Sequence, residues 1–169
     1  ILGFFLLSAL IGAGLGLFNG LLIGGLGLPT LIVTLGTLSL FRGALLTFLG
    51  TTYITAVPRE IISFSRQVLV RLENAAGQMV SLPRSFLVFV GVAAVVAIVM
   101  NLTLFGRKIY AIGGSEESAE RIGIKIKRVK VMIYVLAGAI AGLAGMTHVT
   151  LSRMANPFDL VDMELNAIV

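Results

Sequence analysis

Long uncharged stretches dominate the pattern of this chain. No charged residue occurs in residues 1–41. As a single helix that stretch would be about 60 Å long, roughly twice the hydrocarbon thickness of a bilayer. The chain is therefore predicted to cross a membrane twice in this region. The break is expected between Asn19 and Pro29, where several glycines and the proline weaken or end a helix.

The rest of the pattern predicts two further apolar passes. The second pass covers residues 30–50, the third 85–104 and the fourth 131–151, and the last two have the length that crosses a bilayer. All the prolines fall between these segments, where a proline costs least: Pro29, Pro58, Pro83 and Pro157. The expected fold is an all-α polytopic bundle, a single membrane domain over residues 1–169 with about four spans. The missing initial Met and the apolar ends indicate a fragment.

Composition supports a lipid environment. Hydrophobic residues make up 57% of the chain, charged residues 12%, and the mean hydropathy is +1.04. Soluble domains carry roughly 25% charged residues. The net charge of +5 does not indicate a nucleic-acid partner, because the basic residues cluster beside apolar segments. With no cysteine, disulfides and cysteine-ligated metals are excluded.

The distribution of basic residues predicts the orientation. Residues 106–130 carry seven Lys or Arg, whereas residues 51–84 and 152–169 together carry five. By the positive-inside rule the 106–130 loop is cytoplasmic. The turn after the first pass is then cytoplasmic too, and the 51–84 loop is external. The protein is expected to be a multi-pass protein of the cytoplasmic membrane.

Two glycine patterns predict close helix packing. In lipid, smooth stripes of small residues let two backbones approach, since burying leucine against leucine gains little there. The first pass repeats glycine every four residues and the fourth has a similar series, so both are expected to pack tightly in a multi-helix bundle: Gly12, Gly16, Gly20 and Gly24, then Gly138, Gly142 and Gly145.

The 106–130 loop contains a short predicted helix. Ser115 is a good N-cap, carboxylates follow in the first turn, and Gly123 is a good stop, which predicts a helix over residues 116–122. Ala119 and Ile122 would share one face. So short a helix is marginal alone. The residues themselves leave open whether it docks a partner or belongs to an ordinary structured loop.

A resemblance to a known family decides between these two interpretations. FGRKIYAIGG (105–114), Gly123-Ile124 and the helix around YVLAGAIAGLAGM (134–146) resemble the permeases of bacterial ABC importers for monosaccharides, as do LPTLIVTLGTLSLFRG (28–43) and ELNAI (164–168). Ser115 stands where that family more often has Asn, and residues 50–84 lack its Gly-x-Pro-x-Pro stretch. The resemblance covers most of the chain.

The resemblance implies partners and a site. The family works as two permease copies or sister permeases, an ATPase subunit and an external sugar-binding protein. The segment that couples to the ATPase would comprise Gly114, Ser115, Glu116, Glu117, Ser118, Ala119, Ile122, Gly123 and Ile124.

A few polar residues within or near the predicted passes are candidates for the substrate pathway: Asn19, Arg42, Asn101 and His148. The alternatives are structural, because a cation can lie near the interface and an amide or imidazole can satisfy its own helix. No metal site is expected, since His148 is the only histidine and no second ligand lies at metal spacing. Asp159, Asp162 and Glu164 would lie outside, either receiving the binding protein or simply solvated.

The motifs exclude several activities. The chain has no G-x-x-x-x-G-K-[ST] sequence and no nucleophile elbow, so it is not expected to be an enzyme or to bind a cofactor. The predicted function is the permease of an ATP-driven sugar importer. Alternatives are an ABC permease for a branched-chain amino acid, nucleoside or autoinducer sugar, or an ion-coupled carrier. The carrier hypothesis predicts a carboxylate within a span, whereas every Asp and Glu lies in a predicted loop.

Overall fold

The computed structural model describes residues 1–50, 58–66, 68–73 and 79–155. In this part of the chain the elements follow one another as α1 (Leu2–Gly20), a π-helical turn (Leu21–Gly25), α2 (Thr30–Leu49), α3 (Arg59–Arg66), β1 (Val68–Glu73), β2 (Met79–Pro83), α4 (Ser85–Leu102), α5 (Leu104–Gly114), α6 (Glu116–Arg121) and α7 (Ile126–Ser152). Pro157 and the acidic residues that were predicted to be external, Asp159, Asp162 and Glu164, lie outside the described residues.

Within the described ranges, four helices are long and apolar enough to cross a membrane: α1 with the π-helical turn, α2, α4 and α7. The predicted all-α membrane bundle is confirmed. The fourth span was predicted to begin at residue 131, but α7 begins at Ile126. Lys127 and Lys130 therefore belong to a helix and not to a loop, because hydropathy marks the apolar part of a helix while the hydrogen-bonded helix continues into the polar interface.

The predicted break after the first pass is confirmed. The α-helix changes to a π-helical turn at Leu21, and the chain then turns at Gly27, whose φ of +74° favours glycine. Pro29 is the N-cap of α2, where its missing N–H removes no helical hydrogen bond. These two helices therefore form a hairpin with an irregular connection.

The most extensive packing joins α1 to α7, which run antiparallel. A Cβ built on Gly12 would lie 2.2 Å from the carbonyl oxygen of Gly138, and one built on Gly16 would lie 2.2 Å from that of Tyr134. Further along, Gly20 faces Val131 in the same way. Because side chains at these positions would collide with backbone, only glycine permits the observed separation.

The second helix is packed far less. Val33 and Thr37 are buried, and Phe18 of α1 meets Phe41 with ring centroids 6.4 Å apart. Most other large side chains of α2 are exposed: Leu31, Ile32, Leu35, Leu40, Leu45, Leu46, Phe48 and Leu49. In a bilayer such a surface faces lipid or other spans.

The 51–84 connection contains secondary structure that was not predicted. Helix α3 is followed by an antiparallel hairpin in which Arg71 is opposite Ser81 and Glu73 opposite Met79. Phe64 of α3 packs edge-on against Phe5 near the start of α1, at a centroid distance of 6.3 Å. Helix α3 therefore lies at the end of the bundle that holds the start of α1, opposite the α1–α2 turn.

A sharp corner separates α4 from α5. The third span was predicted to reach residue 104 but ends at Leu102, because Thr103 leaves helical geometry and caps α5 by accepting a hydrogen bond from the Gly106 N–H at 3.2 Å. A Cβ on Gly106 would lie 2.0 Å from the carbonyl oxygen of Met100. The glycine lets α5 fold back onto the end of α4.

Candidate functional site

The helix predicted in the 106–130 loop is present as α6, one residue shorter than expected. Its first turn is closed by Ser115, whose Oγ accepts a hydrogen bond from the Ser118 N–H at 3.2 Å. At its other end Gly123 has a φ of +83°. The Gly123 N–H donates to Glu120 O at 2.9 Å and the Ile124 N–H to Ala119 O at 3.1 Å, which is the Schellman arrangement.

Ala119 and Ile122, which were expected to share one face of the helix, differ in burial. Ala119 is 2% exposed, whereas Ile122 is 74% exposed. Ile122 is the C-cap of α6, at the end of the helix. The structure thus leaves one large apolar side chain of the segment open to the surroundings.

Two ion pairs order the charged residues of the segment. Glu117 and Arg121 pair within α6 at 2.7 Å, and both side chains are largely exposed. Glu116 instead pairs with Lys130 of α7, and both are only about half exposed. The second pair is the more informative because it joins two separate helices.

A small cleft of about 420 Å³ lies beside this ion pair. Its walls come from α6 and the start of α7 on one side, and from Ile23, Gly24 and Gly27 of the α1–α2 connection on the other. The α1–α2 turn and the 114–124 segment therefore lie at the same end of the bundle, as the predicted orientation requires.

A larger groove of about 920 Å³ runs between α1, α2 and α7. Part of each glycine series lines it (Gly12 and Gly16 of α1, Gly138, Gly142 and Gly145 of α7), and its polar lining consists of Ser8, Asn19, Thr34, Tyr134 and His148. The Oδ1 of Asn19 is buried without a hydrogen-bond partner among the described residues. The Tyr134 hydroxyl reaches Thr30 Oγ1 across the groove at 3.5 Å.

The four pathway candidates do not lie together. Asn19 and His148 line the groove, but Arg42 and Asn101 do not. Asn101 is exposed on α4, and its Nδ2 donates to Ala97 O of the same helix at 2.9 Å, so its amide satisfies its own backbone. Thr34 and Tyr134 were missed because a hydroxyl within an apolar helix gives no signal of the direction it faces.

The glycines of the fourth span differ in what surrounds them. A Cβ built on Gly138 or Gly142 would lie 2.2 Å from a carbonyl oxygen of α1, whereas a Cβ on Gly145 would meet none of the described atoms within 4 Å. Gly145 contributes to the groove wall instead of the close contact. Among the described residues no three His, Asp or Glu side chains are grouped to hold a metal ion.

Four apolar spans and a helix-bearing basic loop define a polytopic α-helical membrane protein. The family model for the permease component of the branched-chain amino acid transport system matches residues 1–169, so the chain belongs to that family of permeases. The resemblance to ABC importer permeases is thereby confirmed, and the chain is part of a multi-pass protein of the bacterial inner membrane. Permeases of this kind are not themselves the catalytic subunits.

Similar proteins include autoinducer 2 import system permeases named LsrC. That of Yersinia enterocolitica is 32% identical over 141 residues, 83% of this chain and 36% of its own length. That of Enterobacter sp. strain 638 is 35% identical over 141 residues, covering 83% and 38%, and that of Escherichia coli K12 is 31% identical over 139 residues, covering 82% and 38%. The chain thus spans a little over a third of these relatives. No solved structure matches it.

Proposed function

We propose that this chain is the translocating part of a permease that imports a simple sugar or sugar-like solute, driven by ATP hydrolysis on a separate subunit. The observation that carries the proposal is α6, a helix of six residues that is capped at both ends and projects from the spans beside the α1–α2 turn. A helix this short is ordered only by what packs on it. A partner surface at that end of the bundle would complete its support.

The energy source must be another polypeptide or another part of the protein, because these residues contain no P-loop. The proposed partners are an ABC ATPase at the cytoplasmic end, a second copy or a sister permease, and an external sugar-binding protein. Residues 106–130 are assigned to the cytoplasm and residues 51–84 to the outside. ATPase closure would then push on α6 and rock the spans between inward-open and outward-open states.

The nature of the solute follows from the relatives and the groove. The similar permeases import autoinducer 2, and the groove offers hydroxyl, amide and imidazole groups in an otherwise apolar wall, which suits a small hydroxylated molecule. The family description names branched-chain amino acids instead. A branched-chain amino acid carries an ammonium and a carboxylate group, and no Asp, Glu, Lys or Arg is among the described residues that line the groove, so the sugar-like solute is favoured.

Uptake by cells that express the complete transport system should distinguish these solutes. We expect accumulation of a radiolabelled pentose, hexose or autoinducer 2, and no accumulation of leucine. Removal of the ATPase gene is the control and should abolish uptake. Leucine uptake alone would contradict the proposed solute class, and uptake that persists without the ATPase but follows a proton gradient would favour the ion-coupled carrier.

A single cysteine at Ser118 tests the coupling assignment. Ser118 is exposed on α6, and these 169 residues contain no cysteine that would react in its place. In the full-length permease in native membranes, Ser118→Cys should be crosslinked by a short bifunctional reagent to a P-loop ATPase, and ATP should change the yield. The product is identified by mass spectrometry.

Ser63, exposed on α3 at the opposite end of the bundle, provides the matched control. Ser63→Cys should capture no ATPase and should react with an impermeant maleimide added outside intact cells. Reaction of Ser118→Cys with the external reagent would reverse the orientation. A cytoplasmic Ser118→Cys that captures no ATPase would contradict the importer assignment.

A further inference from the structure

The starting point is the weak intrinsic stability of α6. Its caps order the backbone at both ends, but a six-residue helix with one buried side chain, Ala119, has little to hold it in a fixed direction. A helix that transmits a push must keep its orientation to the spans that it moves. Some contact beyond the caps must therefore fix α6 on the bundle.

The ion pair between Glu116 and Lys130 supplies that contact. This ion pair joins α6 to α7, and it lies beside the cleft between α6, α7 and the α1–α2 connection. Its side chains are about half exposed, so they are partly shielded from water. The other pair, Glu117 with Arg121, lies within α6 and cannot fix its direction.

Lys130 also lies where α7 meets the end of the first span. A Cβ built on Gly24 would lie 3.1 Å from the Cβ of Lys130 and 2.9 Å from the carbonyl oxygen of Lys127. The next turn continues the contact, because Gly20 faces Val131 equally closely. Lys130 therefore contacts the first span through its stem and α6 through its ammonium group.

Helix α2 is held less closely to this group of helices, because most of its large side chains are exposed. Between α1 and α2 the chain passes through the irregular π-helical turn, which ends in Gly24 and Gly25, and then through Gly27 with its positive φ. The groove of about 920 Å³ lies between α2 and the α1–α7 pair. Motion about this connection would change the width of the groove without disturbing the glycine contacts.

We infer that the Glu116–Lys130 ion pair locks α6 to the α1–α7 pair, so that a displacement of α6 moves these three helices as one body relative to α2. Lys130 is then a positioning residue for the transport motion. This inference rests on the proposed function, because it requires an ATPase that displaces α6.

Spin-label distances in the complete permease–ATPase complex, reconstituted in liposomes, test this inference. One label pair, Ser118→Cys with Ala144→Cys, reports movement within the proposed body. A second pair, Ser118→Cys with Ser39→Cys, reports movement relative to α2. On addition of ATP and vanadate the first distance should stay constant and the second should shift.

The Lys130→Gln variant should make the first distance broad and nucleotide-dependent. It should also reduce the fraction of complexes that show the second shift by a factor of about two to five, the scale set by a partly exposed ion pair. Lys130→Arg should behave as the unmodified protein. Arg121→Gln, which removes the ion pair within α6, is the matched control and should leave the first distance unchanged.

Two results would overturn the inference alone: a wild-type Ser118–Ala144 distance that changes with nucleotide, or a Lys130→Gln variant that keeps both wild-type distance distributions, in a complex that retains an active ATPase. A wild-type permease that retains no ATPase at all would instead overturn the proposed function, and this inference with it.

Discussion

Gly138→Ala is expected to separate α1 from α7 and to destabilise the permease strongly. The new Cβ would lie 2.2 Å from the carbonyl oxygen of Gly12 and 2.9 Å from the Cα of Gly16, closer than such atoms approach in real proteins. Both neighbours are backbone, so no side-chain rotation relieves the collision. The helices must move apart, at a cost of about 1–3 kcal/mol for overpacking of this kind.

The measurement is the thermal stability of the detergent-solubilised full-length permease, followed by fluorescence-detected size-exclusion chromatography. Gly14→Ala is the matched control, because Gly14 lies on the facing helix α1 with no described atom within 4 Å of its Cβ position. The control should match the wild type or exceed it slightly, since alanine is the better helix former. Equal melting of Gly138→Ala and Gly14→Ala would show that the two helices are not packed through these glycines.

Gly106→Ala is expected to have an effect at least as large and to act on coupling as well as on stability. Its Cβ would lie 2.0 Å from the carbonyl oxygen of Met100 and 2.6 Å from the Met100 Cα. Relief requires the corner between α4 and α5 to open, which we expect to cost about 3 kcal/mol or more. Since α5 leads directly into α6, a displaced corner also misplaces the segment proposed to meet the ATPase.

Two readouts separate these effects. Thermal melting reports the loss of stability, and crosslinking from Ser118→Cys in the Gly106→Ala background reports the position of α6. Gly113→Ala is the control, because Gly113 lies on the same helix in open space. A Gly106→Ala protein that melts and crosslinks as the Gly113→Ala protein does would contradict the close approach at this corner.

Much of the membrane architecture was accessible from the sequence. The lengths of the uncharged stretches, compared with the thickness of a bilayer, predicted the number of passes. Gly27 and Pro29 located the first turn, because helix-breaking residues act on the backbone close to them. The caps of α6 could also be predicted from the sequence, since Ser115 and Gly123 act on backbone groups a few residues away.

The ends of helices at the membrane surface were harder to predict from the sequence. The extension of α7 to Ile126, the whole of α5 and the β1–β2 hairpin were missed. In these regions polar residues interrupt the apolar pattern while the backbone remains regular, so hydropathy no longer reports secondary structure. The exposure of Ile122 was not predicted either, because it depends on which groups pack on α6 and not on the position of Ile122 along the chain.

The sequence alone determined the class of this protein: four apolar spans, a basic loop on one side and a capped helix within that loop. The tertiary structure decided which partner each of these features has. It joined the first glycine series to the fourth span, brought Asn19 and His148 to one groove while leaving Arg42 and Asn101 away from it, and paired Glu116 with Lys130. Spans and caps depend on neighbours along the chain. The choice of a facing helix depends on groups far apart in sequence, whose approach only the packed bundle defines.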